Sequence, residues 1–327
     1  MFYNIIQGIN NPKVTTLIEN EIVEKINKLK EEKNAVILAH CYQNPEIDLV
    51  ADYVGDSLGL SKLASKTNAD IIVFAGVYFM AETAKILSPD KKVLLPNKKS
   101  GCNMADMIDL RMVREFRAKY PNIPLVCYVN STAEVKAECD VCCTSANAIE
   151  VVRSMNVEKV LFAPDCYLGS WVQKNLPNVE VISYPGYCPT HLRISADDII
   201  KAKEKYPNGV VLVHPECRQE VVELSDFTGS TTQIFDYVKR TNHKTYIICT
   251  EKGVVDRLER DYKDKNFVLV NEKIVCHNMK QNSLEDIYNA LLNEEFEVNV
   301  DEKIRNLALK SINAMISIKS GKETAVK

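Results

Sequence analysis

The chain has 327 residues, of which 46% are apolar and 26% are charged, and its formal net charge is −3. This composition is typical of a globular protein, and the net charge gives no electrostatic reason to expect binding to nucleic acid or to an anionic membrane. The start, MFYNIIQGINNPK, lacks the features of a secretory signal, and the most apolar stretch, 71–81, is too short to span a bilayer. We therefore expect a soluble, cytoplasmic protein.

The predicted elements repeat three times along the chain. Each copy alternates apolar strand segments with helical patterns, and a Lys-Tyr-Pro-Asn sequence recurs 86 residues later in the next copy. In chain order, the sequence predicts a helical lead-in at 1–33, three α/β repeats at 34–120, 121–206 and 207–292, and a C-terminal helix at 293–327.

Strands that alternate with helices predict parallel sheets. In the first repeat the strands AVILA, IIVFA and VLLP are separated by helical patterns, and NPEIDLVADYV at 44–54 is among the segments predicted to be helical. The predicted fold class is α/β, with three pseudo-symmetric three-layer α/β/α domains. Each domain has a small parallel sheet, and the three are arranged around a central pseudo-threefold axis.

One cysteine occupies the same place in each repeat. Cys102, Cys188 and Cys276 are 86 and 88 residues apart, and each lies in a loop after a predicted strand. The chain has 11 cysteines, an odd number, and in a cytoplasmic protein these do not predict a disulfide framework. A lone cysteine is usually a small buried core residue, but recurrence in three repeats favours three thiols that converge on one metal site.

Thiolate ligands suit zinc or iron–sulfur clusters. Structural zinc takes four ligands at short local spacings, whereas these three cysteines are far apart in sequence and have no matched fourth. The pattern favours a [4Fe–4S] cluster with one iron left open as a Lewis acid. A competing group, Cys139, Cys142 and Cys143, contains one Cys-x-x-Cys pair without a second, and we interpret it as structural, with a redox or regulatory role as the alternative.

Hydroxyl residues are triplicated as well. Ser57, Ser145 and the Ser230–Thr231 pair each stand just before a predicted helix, and Ser57, Ser145 and Thr231 are 88 and 86 residues apart. A hydroxyl at a helix N-terminus is a favoured cap, and the free N–H groups and the helix dipole there attract anions. Three such positions around one axis predict a pocket for a small ligand that carries several phosphate or carboxylate groups.

A polar residue follows the apolar run of the first strand in each repeat: His40, Tyr128 and His214. In parallel sheets, ligands bind outside the carboxyl ends of the strands. The residues that come next differ between the repeats, and they are Tyr42, then Val129 and Asn130, then Pro215 and Glu216. Such divergence is expected of a pocket that must supply different general acids and bases.

Several segments resemble the quinolinate synthase family, and together they span nearly the whole chain. They are AHCYQNPEIDLVADYVGDSL, FAGVYFMAETAKIL, SGCNMADM, CYVNSTAEVKAECDVCCTSANA, FAPDCYLGSW, GYCPTH, HPEC, GSTTQI and CHNMK. The resemblance implies three α/β domains around a [4Fe–4S] cluster with three cysteine ligands, which fall here on Cys102, Cys188 and Cys276. It implies an enzyme of NAD biosynthesis that condenses iminoaspartate with dihydroxyacetone phosphate to quinolinate, releasing phosphate and two waters.

The resemblance also implies roles for the polar residues of the pocket. The expected catalytic residues are Tyr42 and Glu216 as acid and base, with His40 and His214 orienting the substrate. The expected substrate-binding residues are His40, Ser57, Tyr128, Val129, Asn130, Ser145, His214, Pro215, Glu216 and Thr231. An aspartate oxidase is the implied donor of the unstable imino acid.

Two other classes of function stay open at this point. An iron–sulfur hydro-lyase acting on another small polyanionic hydroxy acid would use the same open iron, and a redox or metal sensor would use Cys139, Cys142 and Cys143. The triplicated hydroxyls and divergent strand ends argue against a sensor, which would not need a polar pocket. The chain contains neither a Gly-x-Gly-x-x-Gly nor a P-loop sequence, so dinucleotide and P-loop nucleotide binding are not predicted.

Overall fold

The computed structural model describes residues 12–318, with side chains from residue 20 onward. The first unit contains α1 (Pro12–Glu32), β1 (Ala35–His40), β2 (Tyr53–Gly55), α2 (Ser57–Ala64), β3 (Ile71–Ala75), α3 (Tyr78–Leu87) and β4 (Lys92–Leu94). The second unit contains α4 (Leu110–Lys119), β5 (Leu125–Tyr128), α5 (Ala133–Ala137), β6 (Val141–Cys143), α6 (Ala148–Met155), β7 (Lys159–Ala163), α7 (Cys166–Asn175) and β8 (Glu180–Ser183). The third unit contains α8 (Ala196–Lys205), β9 (Val210–Val213), α9 (Gln219–Val222), β10 (Phe227–Thr228), α10 (Thr231–Arg240), β11 (Thr245–Cys249), α11 (Lys252–Asp261) and β12 (Asn266–Leu269). Two further helices follow, α12 (Leu284–Asn293) and α13 (Glu302–Ser317).

The three sheets share one topology. Their strand orders are β2-β1-β3-β4, β6-β5-β7-β8 and β10-β9-β11-β12, and all pairings within them are parallel. The strands are aligned in the same way in each sheet; in the first sheet, Ala39 of β1 lies opposite Val54 of β2 and opposite Ala75 of β3. The prediction of three α/β units with small parallel sheets is therefore confirmed.

The first strand of each unit forms because both of its faces are buried. In β1, Val36 and Leu38 pack into the large central core, whereas Ile37 and Ala39 pack into a second core beneath α1 and α12. A parallel strand covered by helices on both faces appears in sequence as an unbroken apolar run, here AVILA. This strand ends at His40, and its equivalents β5 and β9 end at Tyr128 and just before His214.

An aspartate before the second strand of each unit fixes the first strand. Asp52 accepts the Ile37 N–H through Oδ2 at 2.8 Å and donates its own N–H to the Ile37 carbonyl at 2.9 Å. The same pair of bonds joins Asp140 to Leu125 and Asp226 to Val211. Each carboxylate also pairs with a basic residue of the preceding helix, namely Lys30 of α1, Arg117 of α4 and Lys203 of α8. Helices α1, α4 and α8 are therefore equivalent, and each covers the sheet that follows it.

The last two helices return to earlier units. Leu284, Ile287 and Leu291 of α12 pack on the first sheet beside α1. Helix α13 packs on the second unit, where the Ser311 hydroxyl donates to the Lys136 carbonyl at 2.9 Å. The repeat boundaries given above stay a prediction. The helix at the end of each predicted repeat covers the sheet of a different unit: α4 covers the second sheet, α8 the third and α12 the first.

The structure corrects one predicted element. The segment 44–54 was expected to be helical, but it contains only a short 3-10 helix at Pro45–Leu49 and then strand β2 at Tyr53–Gly55. The predicted helical lead-in and C-terminal helix are present as α1 and α13, and their outer residues, 1–11 and 319–327, lie outside the described part. Among the described residues, no helix combines the length and apolarity needed to cross a bilayer.

Candidate active site

A cavity of about 120 Å³ lies where the three units meet. The predicted residues that line it are His40, Tyr42, Ser57, Cys102, Tyr128, Asn130, Ser145, Cys188, His214, Glu216, Thr231 and Cys276. Val129 and Pro215 are buried next to two of these residues, but neither lines the cavity. The strand ends, hydroxyls and cysteines that recur in sequence are therefore brought to one place.

The three cysteines sit in equivalent turns. Each lies three residues before a 3-10 helix, at Ala105–Met107, His191–Arg193 and Met279–Gln281. The cysteine carbonyl accepts the N–H of the residue four positions later in every case, at 2.9 to 3.2 Å. All three thiols are free and partly buried. Burial raises the pKa of Cys102 to about 12 and also raises those of Cys188 and Cys276, while N–H groups of the following turn oppose the rise.

Two triplicated hydroxyls begin helices. Ser57 and Thr231 are the first residues of α2 and α10, while Ser145 lies before α6. The predicted capping role is confirmed for Ser230, which caps α10 by accepting the Gln233 N–H. It is wrong for Ser57, because Asp56 caps α2, and for Ser145, which stands two residues before the N-cap of α6. The hydroxyls of Ser57 and Thr231 instead lie beside free helix N–H groups, a position suited to an anion.

The two strand-end histidines are neutral hydrogen-bond donors. The Tyr42 N–H donates to His40 Nδ1 at 3.1 Å, and the Glu216 N–H donates to His214 Nδ1 at 3.3 Å. A neutral imidazole that accepts at Nδ1 carries its proton on Nε2. Burial lowers the pKa of both histidines to about 3, so neither is an imidazolium at neutral pH. Each can donate Nε2–H to a ligand oxygen.

Glu216 is a buried carboxylate held by two donors. His191 Nδ1 lies 2.8 Å from Oε2, and the Tyr128 hydroxyl donates to Oε1 at 2.5 Å. Burial alone would raise the Glu216 pKa, but His191, His214 and the Tyr128 hydroxyl outweigh it and bring the pKa to about 2. The same burial raises the pKa of Tyr128 well above its usual range, so the phenol keeps its proton.

A chain of hydrogen bonds connects Glu216 with Tyr42. His191 Nε2 lies 2.9 Å from Thr250 Oγ1, which lies 2.9 Å from the Tyr42 hydroxyl, and that hydroxyl also contacts Thr231 Oγ1 at 3.1 Å. Because the Glu216 carboxylate can only accept, a neutral His191 donates from Nδ1 and accepts at Nε2. Thr250 must then donate to His191, which leaves its oxygen to accept from Tyr42. For a neutral His191, the bonds run in one direction, from the phenol towards the carboxylate.

One amide in the cavity wall lacks a partner. Asn130 Oδ1 is buried and makes no hydrogen bond within the described part of the chain. Buried polar atoms are nearly always paired, so an unpaired one in a cavity wall indicates a place for a ligand or water.

Comparison with known proteins identifies the family. The family model described as "NadA: Quinolinate synthetase A protein" matches residues 24–317. The chain belongs to the quinolinate synthetase A family. The quinolinate synthase of Alkaliphilus metalliredigens is 52% identical over 301 residues, which cover 92% of this chain and 99% of that protein. Those of Clostridium kluyveri and Dehalococcoides mccartyi (strain CBDB1) are 49% and 50% identical over 297 residues, which cover 91% of this chain and 98% of each relative.

Family membership makes the protein an enzyme, which removes the sensor from the alternatives. Cys142 and Cys143 lie in strand β6, Cys139 precedes it, and all three are buried away from the cavity. The Cys142 thiol contacts the Ser311 hydroxyl of α13 at 3.4 Å. These contacts favour the structural interpretation of the group.

Two members of the hydrogen-bonded chain were missed from sequence, His191 and Thr250. His191 follows Cys188 by three residues, but the equivalent positions hold Ala105 and Met279, so no triplication marked it. Thr250 follows the third strand of its unit, whereas polar residues were sought only after the first strands. The GYCPTH segment, which ends at His191, was the one available signal.

A candidate set of ligands for a single metal ion overlaps this chain of hydrogen bonds. Ligand atoms of Cys188, His191 and Glu216 lie within 4.8 Å of one another. Thiolate, imidazole and carboxylate together suit a single zinc or iron ion. The cavity thus contains two candidate donor sets, the three cysteines and this mixed group, which share Cys188.

Proposed function

We propose that this protein is a quinolinate synthase that condenses iminoaspartate with dihydroxyacetone phosphate, releasing phosphate and two waters. Family membership supports the product, since the relatives named above are quinolinate synthases. The observation that carries the proposal is the cavity itself, in which one thiol from each unit meets hydroxyls and neutral histidines suited to a small polyanion.

The anionic groups of the two substrates fit the donors of the cavity. Ser57 and Thr231 stand at the starts of α2 and α10, where a hydroxyl and free N–H groups can bind a phosphate or carboxylate. His40 and His214 add Nε2–H donors without adding charge. The unpaired Oδ1 of Asn130 accepts a hydrogen bond from the imino or hydroxyl group of a substrate.

The donor set of the three cysteine turns fits a [4Fe–4S] cluster. Cys102, Cys188 and Cys276 are free thiols on equivalent turns, and N–H groups of those turns face each sulfur. A cluster held by these three residues would supply Lewis-acid chemistry at an open iron. The surrounding residues then bind and orient the substrates and move the protons.

Tyr42 and Glu216 are proposed to move the protons. Burial raises the Tyr42 pKa well above its usual range, so the phenol is protonated at rest. The direction of the hydrogen bonds lets that proton leave through Thr250 towards His191, whose imidazole is oriented by Glu216. The histidine and carboxylate are arranged as in a catalytic triad, except that Thr250 stands between His191 and Tyr42. Tyr42 can thereby take up or deliver a proton at the substrate.

The test combines metal analysis with an assay. Iron and sulfide are counted after anaerobic purification of the parent, of the Cys102→Ala, Cys188→Ala, Cys276→Ala triple variant, and of Cys166→Ala, a partly buried cysteine outside the cavity. About four irons and four sulfides per chain in the parent and in Cys166→Ala, lost in the triple variant, support the cluster. Formation of quinolinate by the parent and by Cys166→Ala, but not by the triple variant, supports the reaction.

Other results separate the alternatives. One metal ion per chain without sulfide, kept in Cys102→Ala and lost in His191→Ala, would favour the mixed site instead. A cluster-bearing parent that dehydrates citrate-like hydroxy acids and forms no quinolinate would favour the hydro-lyase. An aspartate oxidase as donor of the imino acid, and a location in the cytoplasm, belong to the same proposal. Faster quinolinate formation with coupled oxidase than with its separated product would support direct transfer.

A further inference from the structure

The turn after the third strand contacts the cysteine loop in every unit. Position 77, 165 or 251 ends this turn as the N-cap of α3, α7 or α11, and the spacings of 88 and 86 match the repeat. The next residue donates its N–H to the carbonyl two positions before the cysteine. The three bonds are Tyr78 to Ser100 at 2.7 Å, Cys166 to Gly186 at 2.8 Å and Lys252 to Ile274 at 3.0 Å. All three cysteine loops are therefore held by an equivalent backbone hydrogen bond.

The third unit adds a second contact through a buried carboxylate. Glu251 is fully buried, and its Oε1 accepts the N–H of Cys276 at 3.1 Å. Its Oε2 accepts the Gly253 N–H at 2.6 Å, which ties the carboxylate to α11. Lys280, from the 3-10 helix after Cys276, places Nζ 3.7 Å from Oε1. The side chain thus joins the helix to the cysteine itself.

The second unit places Asp165 at the equivalent position. Asp165 is fully buried, and its Oδ1 accepts the N–H groups of Tyr167 and Leu168 at 2.8 and 2.9 Å. Burial raises its pKa well above the usual range, and the N–H groups of Leu168, Tyr167 and Cys188 oppose that rise. The backbone of Asp165 pairs with that of Gly186 in the Cys188 loop, and Oδ2 is buried without a hydrogen-bond partner among the described residues.

The first unit lacks this device. Its equivalent residue is Val77, which has no hydrogen-bond acceptor on its side chain and lines the cavity. The Cys102 loop therefore keeps the backbone contact and loses the carboxylate contact. The three cysteine loops share the backbone hydrogen bond, but they differ in the side chain that stands beside them.

We propose that Asp165 and Glu251 are positioning residues that hold the loops of Cys188 and Cys276 for the metal centre. Glu251 closes a two-point contact between the start of α11 and the Cys276 loop, Asp165 brings an unpaired acceptor beside the Cys188 loop, and the Cys102 loop has the backbone contact alone. The inference rests on the proposed iron–sulfur function. Hydrogen bonds behind the ligands typically change metal retention 10–100-fold, because they fix ligands that would otherwise have to be ordered on binding.

The test measures iron retention in the full chain. Glu251→Gln and Asp165→Asn keep side-chain size and replace one acceptor oxygen by an NH₂ group, while Glu251→Asp keeps the acid. The matched control is Glu82→Gln, because Glu82 is also buried and accepts a backbone N–H, that of Ala133 at 3.1 Å, away from the cysteine loops. Anaerobically prepared proteins are mixed with a ferrous chelator, and iron release is followed with the electron paramagnetic resonance spectrum of the reduced cluster. Thermal unfolding of the iron-free proteins is measured in parallel.

We expect Glu251→Gln and Asp165→Asn to release iron about 10–100-fold faster than the parent and to alter the spectrum. Glu251→Asp should recover most of the retention, and Glu82→Gln should lose thermal stability with release at the parental rate. Parental release from both amide variants would overturn the inference and leave the proposed function standing. Faster release from Glu82→Gln as well would also overturn it, because general destabilisation would then explain the effect. A parent that binds no iron would overturn both.

Discussion

Thr250 gives the sharpest test of the proton path, because valine has nearly its shape and lacks its hydroxyl. The residue is fully buried, and Oγ1 lies 2.9 Å from both the Tyr42 hydroxyl and His191 Nε2. Thr250→Val therefore keeps the volume of the side chain and removes both hydrogen bonds. Thr250→Ser keeps the hydroxyl and removes a methyl group, and it is the matched control.

The structure sets the size of both effects. Each buried hydrogen bond contributes a net 0.5–1.5 kcal/mol on average, so Thr250→Val should lower the free energy of unfolding by about 1–3 kcal/mol. General acid–base catalysis usually contributes about 10²–10⁴-fold, so an interrupted path should lower kcat by about 10²-fold or more. KM should change little, because Thr250 is not among the residues that line the cavity.

The assay is quinolinate formation by anaerobic protein of known iron content. Thr250→Ser should keep kcat near that of the parent. A Thr250→Val enzyme with parental kcat and parental iron would refute the path through Thr250. If activity falls only in proportion to the iron content, Thr250 would be assigned to retention of the metal centre instead.

Three further outcomes are expected. Glu216→Gln should lower turnover by about 10²-fold or more while iron is retained, and a parental rate in the condensation assay would contradict its role. Asp226→Ala leaves the buried Val211 N–H unpaired and should lower the free energy of unfolding in urea by about 1–3 kcal/mol. Asp226→Asn keeps an acceptor and should cost only about 0–1 kcal/mol, and equal losses would contradict this account. Two lysine partners lower the Glu294 pKa from 4.5 to about 2, so its contribution is complete above pH 4.5 and is lost as the pH falls through 2. The stability difference between parent and Glu294→Gln should shrink over that interval in urea titrations, and a difference that grows there would show the sign to be wrong.

The central strands could be predicted because burial on both faces leaves a clear trace in sequence. AVILA and VVLV are unbroken apolar runs, and they became β1 and β9. The second strand of each unit gave no such trace. β2 and β10 are sheet-edge strands of three and two residues, and they are held by the aspartate contacts of Asp52 and Asp226 as much as by their own side chains.

The candidate site was predictable where it obeys the repeat. Cys102 and its two equivalents, and the strand ends at His40, Tyr128 and His214, were found by spacing alone and lie in one cavity. His191 and Thr250 break the repeat, because the proposed proton path needs different groups at equivalent places. Their roles depend on which side chains face each other across units, and one-dimensional spacing does not contain that information.

The return of α12 to the first sheet has a consequence for synthesis of the protein. The second and third units receive α4 and α8 before their own strands leave the ribosome, so each can begin to bury its sheet as it emerges. The first sheet has α1 on one part of its outer face, but Leu284, Ile287 and Leu291 arrive only when nearly the whole chain has been made. The unit that is translated first therefore stays incomplete until late in translation. Its apolar face stays open for most of elongation, when unfinished chains are most prone to aggregate.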